Sequence, residues 1–391
     1  MGLRRVQLLF ALVGVAEAAI LPFLPIVLHA RRLSAAEIGV ALSTASLAGF
    51  VATPLWGYVA DRRLGAEGTL VVAALTAAVA SVPLAFVHSF LGLIAAAAAV
   101  TAARSSMSTL VDSIALHHLS GGDRADYGRV RLWMSVGWAV AACIWGLVLQ
   151  TGTLQLLPVL YAGSAVAVAI AARAVGGTRL IHERSPRGAR RAMLRRLASF
   201  LVSMLLLFAA FSATFSFVAV RIAELGGGLF VIGVAAALQA VAEVPVMRAT
   251  PRLSRSQGHR ALYLGGTLFV AAACIAWAFL DQTLAIALVK LIAGVGFALV
   301  YVGSVVIVDD LVPLGLRGTG QGFAKGVSFG LAPILGTLAG GAIYDYAGPR
   351  ALFLASAGAA VVAGAGVWAV AARPVPPLGV PPAAAGHEAQ L

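Results

Sequence analysis

Charged side chains are scarce in this sequence: they make up 11% of its 391 residues, whereas soluble domains carry about 25%. Hydrophobic residues account for 61%, and the mean hydropathy is +0.96. These values exclude a water-soluble globular domain and an intrinsically disordered chain. Because one crossing of a bilayer takes roughly 20 mostly apolar residues, the sequence is sufficient for about twelve crossings.

Cysteine and metal-binding patterns are also nearly absent. The two cysteines, Cys143 and Cys274, both lie inside apolar stretches, so neither a disulfide framework nor a zinc site is expected. There is no His-Glu-x-x-His run and no cluster of metal ligands. We therefore expect a protein that is not an enzyme and that needs no cofactor.

Long apolar runs dominate the sequence, and they lack the alternation of a membrane β-barrel. Only helices or closed barrels satisfy their backbone hydrogen bonds in lipid. The pattern therefore predicts an all-α membrane protein with twelve transmembrane helices. The predicted spans are residues 6–29, 38–60, 69–88, 91–116, 129–150, 156–175, 198–223, 229–248, 260–280, 283–308, 319–343 and 350–372.

The basic residues predict how these helices are oriented. With twelve spans, 21 of the 28 Lys and Arg residues lie on the side of the N-terminus and four on the opposite side. Since basic residues accumulate in cytoplasmic loops, both termini are predicted to be cytoplasmic. The same bias explains the net charge of +13 without a nucleic-acid partner. The expected location is a bacterial inner membrane.

The longest predicted loop, residues 176–197, carries seven arginines and divides the chain into two six-helix halves. We predict an N-terminal bundle at residues 1–175, a basic cytoplasmic linker at 176–197 and a C-terminal bundle at 198–372. Two such halves are typical of a transporter built from parallel repeats. Residues 373–391 are rich in Pro, Ala and Gly and are expected to form a disordered cytoplasmic tail.

We single out seven ionisable residues within or at the edge of the predicted spans, where charge is costly and therefore suggests function. They are Glu17, Arg104, Asp112, Arg131, Glu243, Lys290 and Lys325. A carboxylate in a polar cavity can couple transport to protons, because protonation removes the cost of desolvating its charge. Asp112 and Arg131 lie at similar depth on consecutive spans, so an ion pair between them is expected. Alternatively these groups are structural ion pairs, and Arg131 and Lys325 can reach the interface.

The segment between the second and third spans contains Gly57, Asp61, Arg62 and Gly65. Glycines permit a tight turn and a close approach of helices. Asp61 and Arg62 can hold one conformation through ion pairs and helix-end dipoles. These four residues are therefore predicted to gate a conformational change. Trp138, deep in the fifth span, is a candidate for stacking on a ring-bearing solute, the alternative being a packing or lipid-facing role.

Residues 57–65 resemble the signature loop of the major facilitator superfamily, and the resemblance covers nearly the whole chain. Within the superfamily the sequence is most similar to the branch of proton symporters that includes the lactose and phenylpropionate permeases. Three stretches carry this similarity: residues 22–29 with 34–39, residues 127–133 and residues 242–245.

The resemblance implies roles for several of the residues already named. Arg131 matches an arginine that contacts substrate, Asp112 its carboxylate partner and Trp138 a tryptophan that stacks on sugar. Glu243 matches an acid of the eighth helix, and Lys290 matches a lysine of the tenth.

The sequence also departs from the sugar permeases. Ala293 and Gly296 stand where a histidine and a glutamate central to proton coupling would fall. Proton coupling would therefore depend on Glu17, Asp112 or Glu243. These losses make a disaccharide less favoured as the substrate.

Together these features predict a secondary active transporter that works by alternating access. The predicted solute is an aromatic or other carboxylate, or a sugar, taken up with a proton by a functional monomer in the lipid bilayer. An efflux antiporter for drugs or metabolites is the alternative within transport, although the fifth span lacks the Gly-Pro motif of drug exporters. A solute receptor built on a transporter scaffold is the alternative from another class, and a flux measurement distinguishes the two.

Overall fold

The computed structural model describes residues 2–118, 127–175, 187–312 and 317–371, and within these ranges it contains helices and no strand. Residues 373–391 and the first half of the predicted linker, 176–186, lie outside the described ranges, and the second half, from Arg187, belongs to a helix. The helices are α1 Gly2–Ile20, α2 Leu24–Ala30, α3 Ala35–Val59, α4 Gly65–Ser81, α5 Pro83–Phe86, α6 Phe90–Arg104, α7 Met107–His118, α8 Tyr127–Thr151, α9 Leu157–Arg173, α10 Arg187–Glu224, α11 Leu229–Gln257, α12 His259–Phe279, α13 Thr283–Leu311, α14 Arg317–Gly326 and α15 Ala332–Ala371.

Ten helical stretches in the described part of the chain are long and apolar enough to cross a membrane. Two of them, Ala35–Phe86 and Thr319–Val367, contain 52 and 49 residues, more than twice the roughly 20 residues of one crossing. Each is interrupted by a glycine with positive φ, Gly65 at 71° and Gly348 at 84°. Because other residues are strained in that conformation, these two breaks depend on glycine.

The start of α3 shows how the sequence fixes a helix end locally. The Ser34 hydroxyl accepts a hydrogen bond from the Glu37 N–H at 3.3 Å, and the Glu37 carboxylate accepts one from the Ser34 N–H at 2.8 Å. This reciprocal capping satisfies N–H groups that have no partner within the helix. It sets the point at which the chain turns from α2 into α3.

The helices pack as two groups, which we call the N-terminal group (α1–α9) and the C-terminal group (α10–α15). In the N-terminal group α1 packs on α8 and α9, α3 packs on α6, and α4 packs on α6 and α9. In the C-terminal group α10 packs on α15, α12 on α13 and α15, and α11 on α13. The two groups meet where α3 lies against α15 and where α8 lies against α11.

Irregular helical turns occur next to two of the predicted charged residues, Arg104 and Lys325. The chain bends after Arg104, the last residue of α6, before α7 begins at Met107. A π-helical turn, Val327–Leu331, separates α14, which carries Lys325, from α15. In transporters such discontinuous helices occur at binding sites and at moving parts, and π turns are frequent at functional positions.

Candidate functional site

Glu17 of α1 and Arg104 of α6 form an ion pair and a hydrogen bond, through Oε2 and Nη1. Both side chains are largely buried. The buried hydroxyl of Tyr161 on α9 interacts electrostatically with both charges and has no hydrogen-bond partner among the described residues. Pairing reduces the cost of holding each charge away from water. The two predicted residues therefore form one unit in the N-terminal group.

Asp112 connects the two groups of helices. Its Oδ1 lies 2.7 Å from Nη1 of Arg131, so the ion pair expected between consecutive spans is present. Its Oδ2 lies 3.9 Å from Nζ of Lys325, which belongs to the C-terminal group. Asp112 is 12% exposed, whereas Arg131 and Lys325 are 33% and 47% exposed. A nearly buried carboxylate thus faces one more accessible cation from each group.

A second polar chain lies inside the C-terminal group. Lys290 Nζ donates to Gln239 Oε1 at 3.3 Å, and Gln239 Nε2 donates to Glu243 Oε1 at 3.2 Å. Because an ammonium only donates hydrogen bonds, Lys290 orients the amide oxygen toward itself and leaves the amide N–H groups for Glu243. Lys290 also lies over the rings of Phe215, at 4.8 Å, and Trp277, at 5.3 Å. Such cation–π contacts help a buried cation to keep its charge.

Aromatic rings line the space between α10, α13 and the π turn that precedes α15. Phe211 stacks on Phe297 at 4.8 Å, and Phe297 stacks on Tyr301 at 5.9 Å. Phe329 meets Tyr301 at 6.1 Å and Phe208 at 5.5 Å. We call these five residues the aromatic row. Phe329 is 52% exposed, so the rest of the protein does not cover this end of the row.

Trp138 of α8 is half-buried and packs against small side chains of α1, α8 and α11, including Ala18, Ala142 and Ala236. This contact lies where α8 of the N-terminal group meets α11 of the C-terminal group. The structure therefore places Trp138 at the junction of the two groups.

The four predicted gating residues lie together at the end of α3. Asp61 and Arg62 are exposed in a π-helical turn, Ala60–Leu64, and Gly65 begins α4. The Arg62 guanidinium lies 5.7 Å above the ring of Tyr58. A β-carbon on Gly57 would meet nothing within 4 Å. Gly65 is thus required by its backbone conformation, whereas Gly57 is not required by packing.

Several residues of the candidate site were not identified from the sequence. Gln239 precedes Glu243 by four residues, which places both on one helix face and is a usable signal. Tyr161 and the aromatic row gave no such signal, because apolar and aromatic side chains fill the spans of a chain that is 61% hydrophobic. Lys325 was singled out as a charge, but its partner Asp112 is more than two hundred positions away.

One short pattern in the sequence has the spacing of a catalytic motif. Residues 326–330 read Gly-Val-Ser-Phe-Gly, the Gly-x-Ser-x-Gly spacing of a hydrolase nucleophile elbow, which requires a strand-to-helix turn and an exposed serine. Here Ser328 lies in the π turn between two helices and is 2% exposed. The pattern is therefore part of helix packing and does not indicate a hydrolase.

Comparison with known proteins gives consistent results. The family model described as "MFS_1 like family" matches residues 7–355. A maltose permease of Geobacillus stearothermophilus is 31% identical over 351 residues, which are 86% of this chain and 86% of that protein. An uncharacterized transporter of Bacillus subtilis (strain 168), YwbF, is 25% identical over 358 residues, 88% of this chain and 87% of that protein.

Among solved structures, the nucleoside transporter NupG superposes with a TM-score of 0.82. The superposition covers 96% of this chain and 100% of that one, at 17% sequence identity. At this identity the similarity shows a shared fold.

Proposed function

Since the chain belongs to the MFS_1 like family and is thus a multi-pass transporter of the cell membrane rather than an enzyme, we propose that it imports a small organic solute together with protons. In this proposal the N-terminal and C-terminal groups are the two halves of the transporter. They alternate between opening to the outside and opening to the cytoplasm around a site in the middle of the membrane.

The proposal includes a topology of twelve spans with both termini in the cytoplasm. Ala35–Phe86 and Thr319–Val367 each cross the membrane twice, which converts ten apolar stretches into twelve spans. The interruptions at Gly65 and Gly348 support this division. The excess of basic residues on one side supports the orientation.

The observation that carries the proposal is the position of Asp112 between the two groups. Its carboxylate lies 2.7 Å from Arg131 of one group and 3.9 Å from Lys325 of the other. A contact between halves that move against each other must break and re-form in each transport cycle. Charged groups suit that role, because water or a ligand can replace the lost partner when the contact opens.

Proton coupling is proposed to depend on the buried acids Glu17, Asp112 and Glu243. Each is held by a basic or amide group, namely Arg104, Arg131 or Gln239. Protonation of such a carboxylate weakens its hold on the partner and lowers the cost of moving it through a dry region. A symporter requires this link between protonation and conformation.

The solute is proposed to be an aromatic or other carboxylate, or a sugar. The cations Arg131 and Lys325 favour a carboxylate, and the aromatic row favours a ring. The name of the 31% identical relative adds a disaccharide to the candidates.

The test is proton flux in proteoliposomes that contain a pH-sensitive dye and face an imposed inward proton gradient. Maltose, uridine, benzoate and phenylacetate are added in turn, and protein-free liposomes give the background from passive entry of the weak acids. We expect one solute to acidify the interior beyond that background. Alkalinisation on adding a cationic drug would instead indicate an antiporter, and binding without flux would indicate a receptor.

A further inference from the structure

We propose that Arg131 and Lys325 form a clamp for the carboxylate of an aromatic solute, and that Asp112 occupies this clamp when no solute is bound. The inference rests on the proposed transport function and specifies its substrate class. It also assigns a role in binding to Lys325, for which the family resemblance implies none.

The first argument is the chemistry of the clamp. A carboxylate has two oxygens, and those of Asp112 point to one cation each, at 2.7 Å and 3.9 Å. A solute carboxylate offers the same two acceptors and can take the same place. The longer distance shows that Asp112, fixed to α7, does not hold both cations at hydrogen-bonding range. A diffusible carboxylate is not restricted in this way.

The second argument is access. The cations are 33% and 47% exposed, whereas Asp112 is 12% exposed. The protein covers the two cations less than it covers the carboxylate, so an approaching anion has more access to the positive charges than to Asp112. Charge-assisted hydrogen bonds to a carboxylate are stronger than neutral ones, so the exchange of one carboxylate for another is chemically reasonable.

The third argument is the neighbourhood of Lys325. Phe329 follows Lys325 by four residues, is 52% exposed and belongs to the aromatic row. In the proposed binding mode, a flat ring stacks on the exposed Phe329, four residues after Lys325, and its carboxylate extends toward the clamp. The phenylalanines of the row offer no hydrogen-bonding group, and Tyr301 supplies one hydroxyl. A disaccharide, whose many hydroxyls need partners when they leave water, is less well matched to this surface.

The inference also predicts how two substitutions differ. If Asp112 only latches the two groups together, Asp112→Asn and Lys325→Gln remove the same contact and shift binding in the same direction. If Asp112 competes with the solute, Asp112→Asn strengthens binding, because the internal competitor is neutralised. Lys325→Gln weakens binding, because one of the two cations is lost.

The experiment is isothermal titration of the purified full-length protein with phenylacetate, phenylacetamide, cyclohexylacetate and maltose. Phenylacetate is expected to bind more tightly than cyclohexylacetate. Its affinity should also exceed that of phenylacetamide, its neutral amide, about tenfold or more, because the contact with the carboxylate is charge-assisted. Lys325→Gln is expected to weaken phenylacetate binding about tenfold. Asp112→Asn is expected to strengthen it, and Lys325→Arg to retain it.

Two control variants match these changes. Arg221→Gln removes a cation from a separate pair with Asp281, and Phe269→Leu changes a phenylalanine on α12 that is 43% exposed. Both are expected to bind phenylacetate normally, whereas Phe329→Leu is expected to bind it more weakly. Thermal unfolding of every variant establishes that it is folded, and Lys325→Arg tests the clamp if Lys325→Gln is unstable.

Three results would overturn the inference. They are equal binding of phenylacetate and phenylacetamide, weaker binding in both Asp112→Asn and Lys325→Gln, and binding of maltose with none of phenylacetate. In the last case, proton flux driven by maltose would leave the proposed transport function intact. Absence of proton flux with every solute tested would contradict that function itself.

Discussion

The Cα atom of Gly341 lies 3.0 Å from the position that a β-carbon on Gly39 would occupy. That distance is shorter than normal van der Waals contact, so α3 and α15 cross where neither carries a side chain. A similar contact joins α8 and α11, where a β-carbon on Gly146 would lie 3.2 Å from Cα of Gly233. These two helix crossings between the N-terminal and C-terminal groups thus depend on paired glycines, which let helix backbones approach closely.

The first prediction follows from this pair. Gly39→Leu is expected to separate α3 from α15 on one side of the membrane, because the backbone of Gly341 and Thr337 leaves no room for a side chain. The rate of uptake should fall about tenfold or more, because the free energy of one of the alternating states rises by more than about 1.4 kcal/mol. The measurement is initial uptake rate, together with alkylation of a cysteine introduced near Gly39.

The matched control for that prediction is Gly163→Leu, at a position where a β-carbon would meet nothing within 4 Å. It is expected to leave uptake and alkylation close to those of the unaltered protein. Equal uptake by Gly39→Leu and the control would show that the close crossing is not needed for transport.

The second prediction concerns stability and contrasts two glycines of one segment. Gly65 has φ 71° and ψ 175°, a conformation that is essentially restricted to glycine. Gly65→Ala should therefore lower stability by about 1–3 kcal/mol. Gly57 lies in a helix with open space around it, and Gly57→Ala should raise stability by up to about 1 kcal/mol. Unfolding in detergent, followed by circular dichroism, should give shifts of opposite sign.

The third prediction concerns the exposed π-helical turn. Asp61→Asn is expected to slow turnover about two- to fivefold, because the substitution removes the charge through which Asp61 is predicted to favour one conformation. The concentration of solute for half-maximal uptake should change little, since Asp61 lies in the turn and away from the clamp. Arg63→Gln, at a neighbouring exposed position, is the control. Normal turnover in Asp61→Asn would remove Asp61 from the gating set.

The fourth prediction concerns coupling by the buried acids. Glu17→Gln keeps a hydrogen-bond acceptor for Arg104 but can no longer bind and release a proton. Glu243→Gln likewise keeps an acceptor for Gln239 and removes the titratable group. Each is expected to abolish accumulation of solute against its gradient while sparing exchange across the membrane. The control is Asp281→Asn, whose side chain is 79% exposed and is paired with Arg221. Full accumulation in both test variants would exclude Glu17 and Glu243 as proton carriers.

The positions of most helices could be predicted from the sequence, because most apolar runs have the length that a bilayer requires. The interruptions within the predicted spans 91–116 and 319–343 were not predicted. The run predicted at residues 283–308 corresponds to α13, Thr283–Leu311, and the run at 129–150 to α8, Tyr127–Thr151. The ion pair of Asp112 and Arg131 was also predictable, since both lie at similar depth on consecutive helices. In each case the information is local in the sequence.

The remaining site contacts depend on which distant helices become neighbours. Glu17 and Arg104 were identified separately, but the sequence does not show that α1 and α6 bring them together. The contact of Lys325 with Asp112 joins opposite halves of the chain. Helix periodicity indicates which face of a helix is polar and leaves open which partner that face meets. Partners across a bundle therefore had to come from the structure.

The fifth prediction concerns the chain from Lys290 through Gln239 to Glu243. Lys290 is 5% exposed and Gln239 is 7% exposed, so neither group has ready access to water if a partner is lost. Removing one member of a buried charged pair leaves the other uncompensated, which costs about 3–5 kcal/mol. Lys290→Met and Glu243→Gln should therefore each destabilise the protein, and Lys290→Met should do so less than expected for an isolated charge, because Gln239 can still donate to Glu243.

The double variant Lys290→Met with Glu243→Gln separates this interpretation from simple loss of packing. If the two charges stabilise each other through Gln239, the double variant should be more stable than the sum of the single effects predicts, by about 1–3 kcal/mol. The same cycle with Lys290→Met and Glu37→Gln provides the control, because Glu37 caps α3 and shares no partner with Lys290. Additive effects in the Lys290–Glu243 cycle would mean that Gln239 carries no interaction between them, and that Phe215 and Trp277 alone accommodate the buried ammonium.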